Sequence, residues 1–235
     1  MPKRLINVIV RGDNSGSTSV LTSYFANQSS NYLKKIGPGS STPKWPISFV
    51  KRSSSSDLLS VVVDLSYSIS YSSLDTFKSQ TFYRVASILN GFGQPIVPTT
   101  ATIQAAMSGA LAKATQFTPK RNYIVITNVN ASNAYPIALY TFILLRQFYF
   151  IYGDGDCEPV ISTVDYWNYV WTANEVSALT LKDGWVPLPP SVKNFSIQAL
   201  STIYCKNISV MSTIAARKRQ LDYNSGIFII TSRLF

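Results

Sequence analysis

The apolar positions of the chain switch between strand-like and helix-like spacing, and the switches mark its elements. Residues 5–10 (LINVIV) form a short β-branched run ending at Arg11-Gly12-Asp13, which predicts a buried strand entering a turn. Val20, Leu21, Tyr24, Phe25 and Tyr32, with Leu33 and Ile36 beyond, then keep to one helical stripe, so a helix is expected over 18–32. Ser15 or Ser17 is placed to cap it. Residues 37–46 (GPGSSTPKWP) and 51–56 (KRSSSS) read as loops.

Beyond these, the pattern predicts a helix over 57–65, strands over 67–72 and 82–89, and a turn at Asn90-Gly91. A helix over 99–114 follows, with Ile103, Ala106, Met107 and Ala110 on one side, then strands over 123–129 and 137–145. After a Gly-rich acidic turn at 154–156, Pro159 opens a helix in which Val160, Val164, Trp167 and Trp171 lie at helical spacing. The Pro-rich stretch 185–190 interrupts regular structure, 191–211 reads as a last helix, and a basic tail with an apolar run at 227–230 closes the chain. Alternating strands and helices of these lengths imply an α/β architecture with largely parallel sheets.

At 235 residues and 46% hydrophobic, the chain is long enough for one large domain or two small ones. Only 14% of residues are charged, so its surface relies on Ser, Thr, Asn and Tyr. The net charge of +10 comes from scattered groups such as Lys51-Arg52, Lys120-Arg121 and Arg217-Lys218-Arg219, without interleaved aromatics, which argues for a solvated surface and against nucleic acid. With no histidine anywhere, Ser-His-Asp and Cys-His catalysis are excluded. Cys157 and Cys205 leave two readings open, a disulfide in an oxidising compartment or two buried thiols. Asp154, Asp156 and Glu158 likewise fit a cation loop or a solvated acidic turn, the second being the simpler. Pro136 and Arg146-Gln147 break the longest apolar stretch, 134–152, so no transmembrane span is expected. Asn27, Asn130, Asn194 and Asn207 each begin an N-x-S/T sequon.

The turn after the first strand carries the densest candidate chemistry. Arg11 offers a planar fork, Ser15 and Ser17 offer hydroxyls, and Gly16 allows close approach to backbone N–H groups at a helix entrance, where an oxyanion is favoured. Asp13 repels any anion that cannot donate a proton to it, which would favour phosphate over sulfate. A plainer reading has Arg11 paired with Asp13 and the serines capping the helix.

With Arg11, Asp13, Ser15, Gly16 and Ser17 in place, the stretch VIVRGDNSGSTSVLTSYF resembles the phosphate turn of PstS-type periplasmic phosphate-binding proteins, usually R-x-D-x-S-G-T, with Ser17 in place of the threonine. Lys44-Trp45-Pro46, residues 95–106, residues 134–145 and residues 184–189 (GWVPLP) follow in the family's order. Two departures stand out: KRSSSS at 51–56, where the family has a Gly-rich loop, and Ser68-Ile69-Ser70-Tyr71, where it has G-x-I-G-Y.

The resemblance implies an α/β fold of the type II periplasmic-binding-protein-like class, its second lobe complete and its first lobe partial. Residues 1–133 would form the second, phosphate-loop lobe, 134–210 an incomplete return to the first lobe, and 211–235 a basic C-terminal tail. It also implies a solute-binding protein that binds inorganic phosphate through Arg11, Asp13, Ser15, Gly16 and Ser17, not an enzyme, with no cofactor and no metal. An extracytoplasmic location is implied, although 1–12 has too short an apolar run for a signal peptide. Partners would be a phosphate ABC transporter permease or a chain supplying the missing first lobe. The alternative is a truncated or degenerate surface protein of the same fold without phosphate affinity of its own.

Overall fold

The computed structural model describes residues 3–77, 82–113, 126–151 and 155–224. The chain divides into two compact units, Met1–Gln116 with Tyr123–Thr141 and Ala178–Pro189, and Phe117–Asn122 with Phe142–Ser177 and Pro190–Phe235. Residues 178–189 belong with the first unit.

The first unit begins with β1 (Asn7–Arg11), α1 (Gly16–Gln28) and α2 (Ser30–Lys35), followed by β2 (Val50–Arg52), α3 (Ser55–Asp64) and β3 (Ser68–Ile69). These strands make a parallel sheet in the order β2-β1-β3, with Arg11 opposite Arg52 and Asn7 opposite Ser68. Successive strand residues face opposite sides, and Ile9 and Val10 are both buried, so β1 is covered on both faces as a central parallel strand must be. Leu58 and Leu59 of α3 close over Ile9, with Val50, Val61, Val62, Leu65 and Tyr83 around them.

α1 differs from its expected stripe. Its buried residues are Thr18, Thr22 and Tyr24, while Phe25 is exposed. A polar face can be buried here because the 37–46 loop folds onto it and satisfies it: the Thr22 hydroxyl donates to the Thr18 carbonyl (2.8 Å) and accepts from the Ser40 N–H (2.9 Å). The helix breaks at Ser29, whose hydroxyl caps α2, and Gly37 ends α2 at a φ of +106° that few other residues adopt.

The 51–56 stretch, expected as a loop, is the end of β2 and the start of α3. Ser54 caps the helix by accepting from the Asp57 N–H (3.0 Å). The unit continues with α4 (Leu74–Phe77), the antiparallel pair β4 (Ile88–Leu89) and β5 (Pro95–Ile96), and α5 (Thr100–Lys113). The strand expected over 82–89 is reduced to β4. Of the 123–129 strand, 123–125 lies outside the described residues, and 126–129 forms no strand. Residues 137–145 are not a strand either. Ala134, Pro136 and Ala138 are buried alternately, as in extended chain, but Pro136 has no N–H to give a ladder.

In the second unit, β6 (Phe148–Tyr149) precedes α6 (Glu158–Thr172), and α7 (Asn174–Lys182) crosses between the units. The expected 191–211 helix is instead α8 (Pro190–Ser201), a hairpin of β7 (Tyr204–Cys205) and β8 (Ile208–Ser209), and the start of α9 (Val210–Asn224). Lys206 and Asn207 form the hairpin's two-residue turn with φ of 48° and 61°, the left-handed geometry that matches strand twist. The sheet order is β6-β7-β8. Val160, Ile161 and Val164 of α6 pack with Leu200, Ile203, Cys205, Val210 and Ile214, and Cys157 is bonded to Cys205. The tail expected from 211 is helical to Asn224, and its Arg217 and Lys218 pair with Glu158 and Asp165 of α6. The 227–230 run lies outside the described residues.

Candidate functional site

The connections of the first sheet create a place for a ligand. β1 leads through α1 to its neighbour β2, whereas β2 must cross β1 through α3 to reach β3 on the far side. Right-handed crossovers in opposite directions put α1 and α3 on opposite faces, and in this strand order the reversal falls at the carboxyl end of β1, between β1 and β3. Ligands of open α/β sheets bind at such a point. Arg11-Gly12-Asp13 leaves β1 there and Arg52-Ser53-Ser54 leaves β2, and a cavity of about 670 Å³ opens between them, lined by Gly12, Asp13, Lys51, Arg52, Ser53, Asp57 and Val61.

Arg11 is held from several directions. Its Nε donates to Asp13 Oδ1 (2.6 Å), Nη2 to Asp13 Oδ2 (2.5 Å) and Nη1 to Ser55 Oγ (2.8 Å). Its backbone N–H donates to Tyr71 Oη (3.1 Å), and its carbonyl accepts from Trp45 Nε1 (2.9 Å). The pairing of Arg11 with Asp13 is therefore formed, as the plainer reading expected. It does not exhaust the guanidinium: three of five N–H groups are engaged, and one remains on each terminal nitrogen. Hydrogen bonding from Arg11 holds the Asp13 carboxyl below its ordinary range, and the same bond raises Arg11, so Asp13 is an ionised acceptor at neutral pH.

Ser15 is the N-cap of α1, 5% exposed, its Oγ accepting from the Thr18 N–H (3.3 Å), and Ser17 is not the cap. The Ser15 hydroxyl proton remains to donate. Gly16 and Ser17 begin the helix, where amides have no acceptor within the helix itself. A Cβ placed on Gly16 would meet nothing within 4 Å, so this glycine borders open space. Among the five sequence-selected residues, Arg11 and Asp13 are brought into contact, Ser15, Gly16 and Ser17 follow on the adjoining helix entrance, and only Asp13 lines the cavity.

Sequence reasoning missed Ser55 and the tyrosine at the turn. Ser55 lay in a serine run read as loop, although Ser54-x-x-Asp57 is a capping pattern that could have marked a helix start. Asp156 and Glu158 hold no common centre: Asp156 accepts from the Glu158 N–H and Glu158 pairs with Arg217, while Asp154 lies outside the described residues. Among the described residues no cluster of metal-ligating side chains occurs, and no helix is long and apolar enough to cross a membrane.

Residues 1–155 match the family model described as a PBP superfamily domain. The chain is 28% identical over 193 residues to the phosphate-binding protein PstS of Xylella fastidiosa (strain 9a5c), covering 82% of this chain and 49% of that one. It is 26% identical over 212 residues to the phosphate-binding protein PstS of Methanocaldococcus jannaschii, covering 86% and 53%. It thus spans about half the length of these relatives. Among solved structures it is similar to a high-affinity periplasmic phosphate-binding protein, PfluDING, bound with phosphate, at a TM-score of 0.58 and 19% identity over 87% of this chain and 61% of that one. The fold is α/β and type II periplasmic-binding-protein-like, and the chain is similar to PstS-type proteins over most of its length.

Proposed function

The chain belongs to the PBP superfamily, and from that premise we propose that it binds inorganic phosphate at the entrance of α1. The single observation that carries the reading is the Arg11–Asp13 pair, in which Asp13 is kept ionised while Arg11 retains two N–H groups. Phosphate oxygens accept from those N–H groups, from the Ser15 and Ser17 hydroxyls and from the Gly16 and Ser17 amides. The P–OH of phosphate donates to Asp13. Sulfate has no such proton, so its oxygen would face the carboxylate with nothing between them, a mismatch of about 1–3 kcal/mol for two acceptors set against each other.

No reaction follows from this arrangement; the role is that of a solute-binding protein, not an enzyme. On this reading residues 1–133 would form the phosphate-loop lobe and residues 134–210 a return to the other lobe. An extracytoplasmic setting agrees with the Cys157–Cys205 disulfide, and the partner would be a phosphate ABC transporter permease. Isothermal titration of the chain with phosphate, with sulfate as control, tests the reading. Saturable 1:1 binding of phosphate alone is expected, and equal heats for both anions, or none for either, would overturn it.

One observation favours the second reading, a surface or interaction protein of the same fold. Among the described residues β6 pairs with β7 alone, and Leu144, Phe148 and Phe150 around it are 92%, 50% and 71% exposed. An exposed apolar strand edge is a surface for another polypeptide.

A further inference from the structure

At the phosphate turn, a tyrosine outside the cavity lining joins the two elements that the turn connects. Tyr71 follows β3 and is partly buried; its Oη accepts the backbone N–H of Arg11, the last residue of β1, at 3.1 Å. The same oxygen lies 2.6 Å from Oγ1 of Thr18, a fully buried residue in the first turn of α1. Thr18 in turn donates its N–H to Ser15 Oγ. A circuit of hydrogen bonds thus runs from Arg11 through Tyr71 and Thr18 to Ser15, and the backbone of residues 12–14, which contains Asp13, closes it. Burial pushes the Tyr71 phenol above its ordinary value, so it remains protonated, with one hydrogen to give as well as lone pairs to receive.

From this geometry we propose that Tyr71 is a positioning residue for anion binding: its hydroxyl fixes the distance and angle between the Arg11–Asp13 pair at the end of β1 and the helix entrance of α1. This rests on the phosphate reading above. Neither element can set that relation alone. The backbone of residues 12–14 is a turn with Gly12 and Asn14 exposed, and a turn of this kind holds its ends only as firmly as the bonds across it. An anion that must be met at once by Arg11 and by the Gly16 and Ser17 amides tolerates little relative drift, since ligand sites lose affinity when donors move by even an ångström. Other bonds reach Arg11 from Trp45 and Ser55, but neither group is bonded to α1. Tyr71 reaches both.

A tyrosine that is merely a satisfied core residue would affect stability and nothing else, so the test compares Tyr71→Phe with Tyr24→Phe. Tyr24 also sits in the core and donates its hydroxyl, to the Leu89 carbonyl at 2.5 Å, but it takes no part in the circuit. Two readouts are needed: the phosphate dissociation constant by calorimetry, and the titration of the Asp13 carboxyl followed by carbon NMR, which requires no ligand. Tyr71→Phe is expected to weaken phosphate at least tenfold and to move the Asp13 titration up toward an ordinary carboxylate, while Tyr24→Phe changes affinity less than twofold and leaves Asp13 unmoved. Thr18→Val, which removes the other end of the bond without changing side-chain volume much, is expected to act in the same direction and serves if Tyr71→Phe does not fold. Affinity and Asp13 titration both unchanged in Tyr71→Phe and Thr18→Val would overturn the proposal. If the wild-type chain takes up no phosphate yet Asp13 shifts in Tyr71→Phe, the phosphate reading fails while the positioning role stands.

Discussion

The disulfide of the second unit offers a quantity that can be worked from the structure. Cys157 caps the start of α6 without a side-chain bond to the helix, and Cys205 lies in β7, 2% exposed and packed among Val160, Val164 and Ile203. The two are 48 residues apart in sequence. Closing a loop of that length removes about 14 cal/mol/K of entropy from the unfolded chain, or about 4 kcal/mol at 25 °C. Replacing both cysteines by alanine is therefore expected to lower the stability of this unit by about 2–4 kcal/mol, the smaller figure allowing for residual structure in the unfolded chain. Denaturant unfolding followed by the fluorescence of Trp167 and Trp171, both packed on this core, reads the change. Wild-type protein under reductant should unfold at the midpoint of the double variant. A loss below about 1 kcal/mol, unaffected by reductant, would show that the bridge does not constrain the unit as argued.

Gly16→Ala should leave unfolding unchanged or slightly improved, since its Cβ enters open space at the start of a helix, yet it should weaken phosphate at least tenfold by occupying the anion's approach; parallel melting and calorimetry decide. Gly109→Ala in α5 should do the reverse of a helix-favouring change: its Cβ would stand 2.9 Å from Val129 Cγ1 and 3.3 Å from Ala131 Cβ, so stability should fall by about 1 kcal/mol or more in denaturant titration, and a gain would refute the packing. The pH response of the turn follows from Asp13, whose folded carboxyl is held below 3.8 by Arg11. A depressed carboxyl contributes stability that is fully present above 3.8 and lost as pH falls through the folded value, so wild type should lose more stability than Asp13→Asn below pH 3.8, and equal losses in an acid titration would contradict the pairing.

The strand, turn and helix that build the site were legible because their signals are local. A β-branched run, a Gly-containing turn and a serine at the cap position each act within a few residues, and β1, Ser15 and α1 appear in that order. The burial of α1 was not legible, because its buried face is threonine and becomes tolerable only when Ser40 arrives from a distant loop. Serine runs carry no hydrophobic period, so the β2–α3 start passed as loop until Ser54 and Asp57 showed their capping bond. The apolar stretch after Pro136 looked like a strand because hydrophobicity alone cannot say whether a ladder partner exists. Tyr71 and Ser55 reach the turn across 60 and 44 residues of sequence, a distance that no spacing rule spans.

Selectivity between two nearly isosteric anions probes the Arg11–Asp13 arrangement most directly. Competition calorimetry of phosphate against sulfate in wild type and in Asp13→Asn measures it. The amide of asparagine can donate where the carboxylate only accepts, so the wild-type preference for phosphate should collapse in the variant by roughly 5–150-fold, the equivalent of about 1–3 kcal/mol, with sulfate gaining as phosphate loses. A preference that stays the same in both proteins would contradict the account.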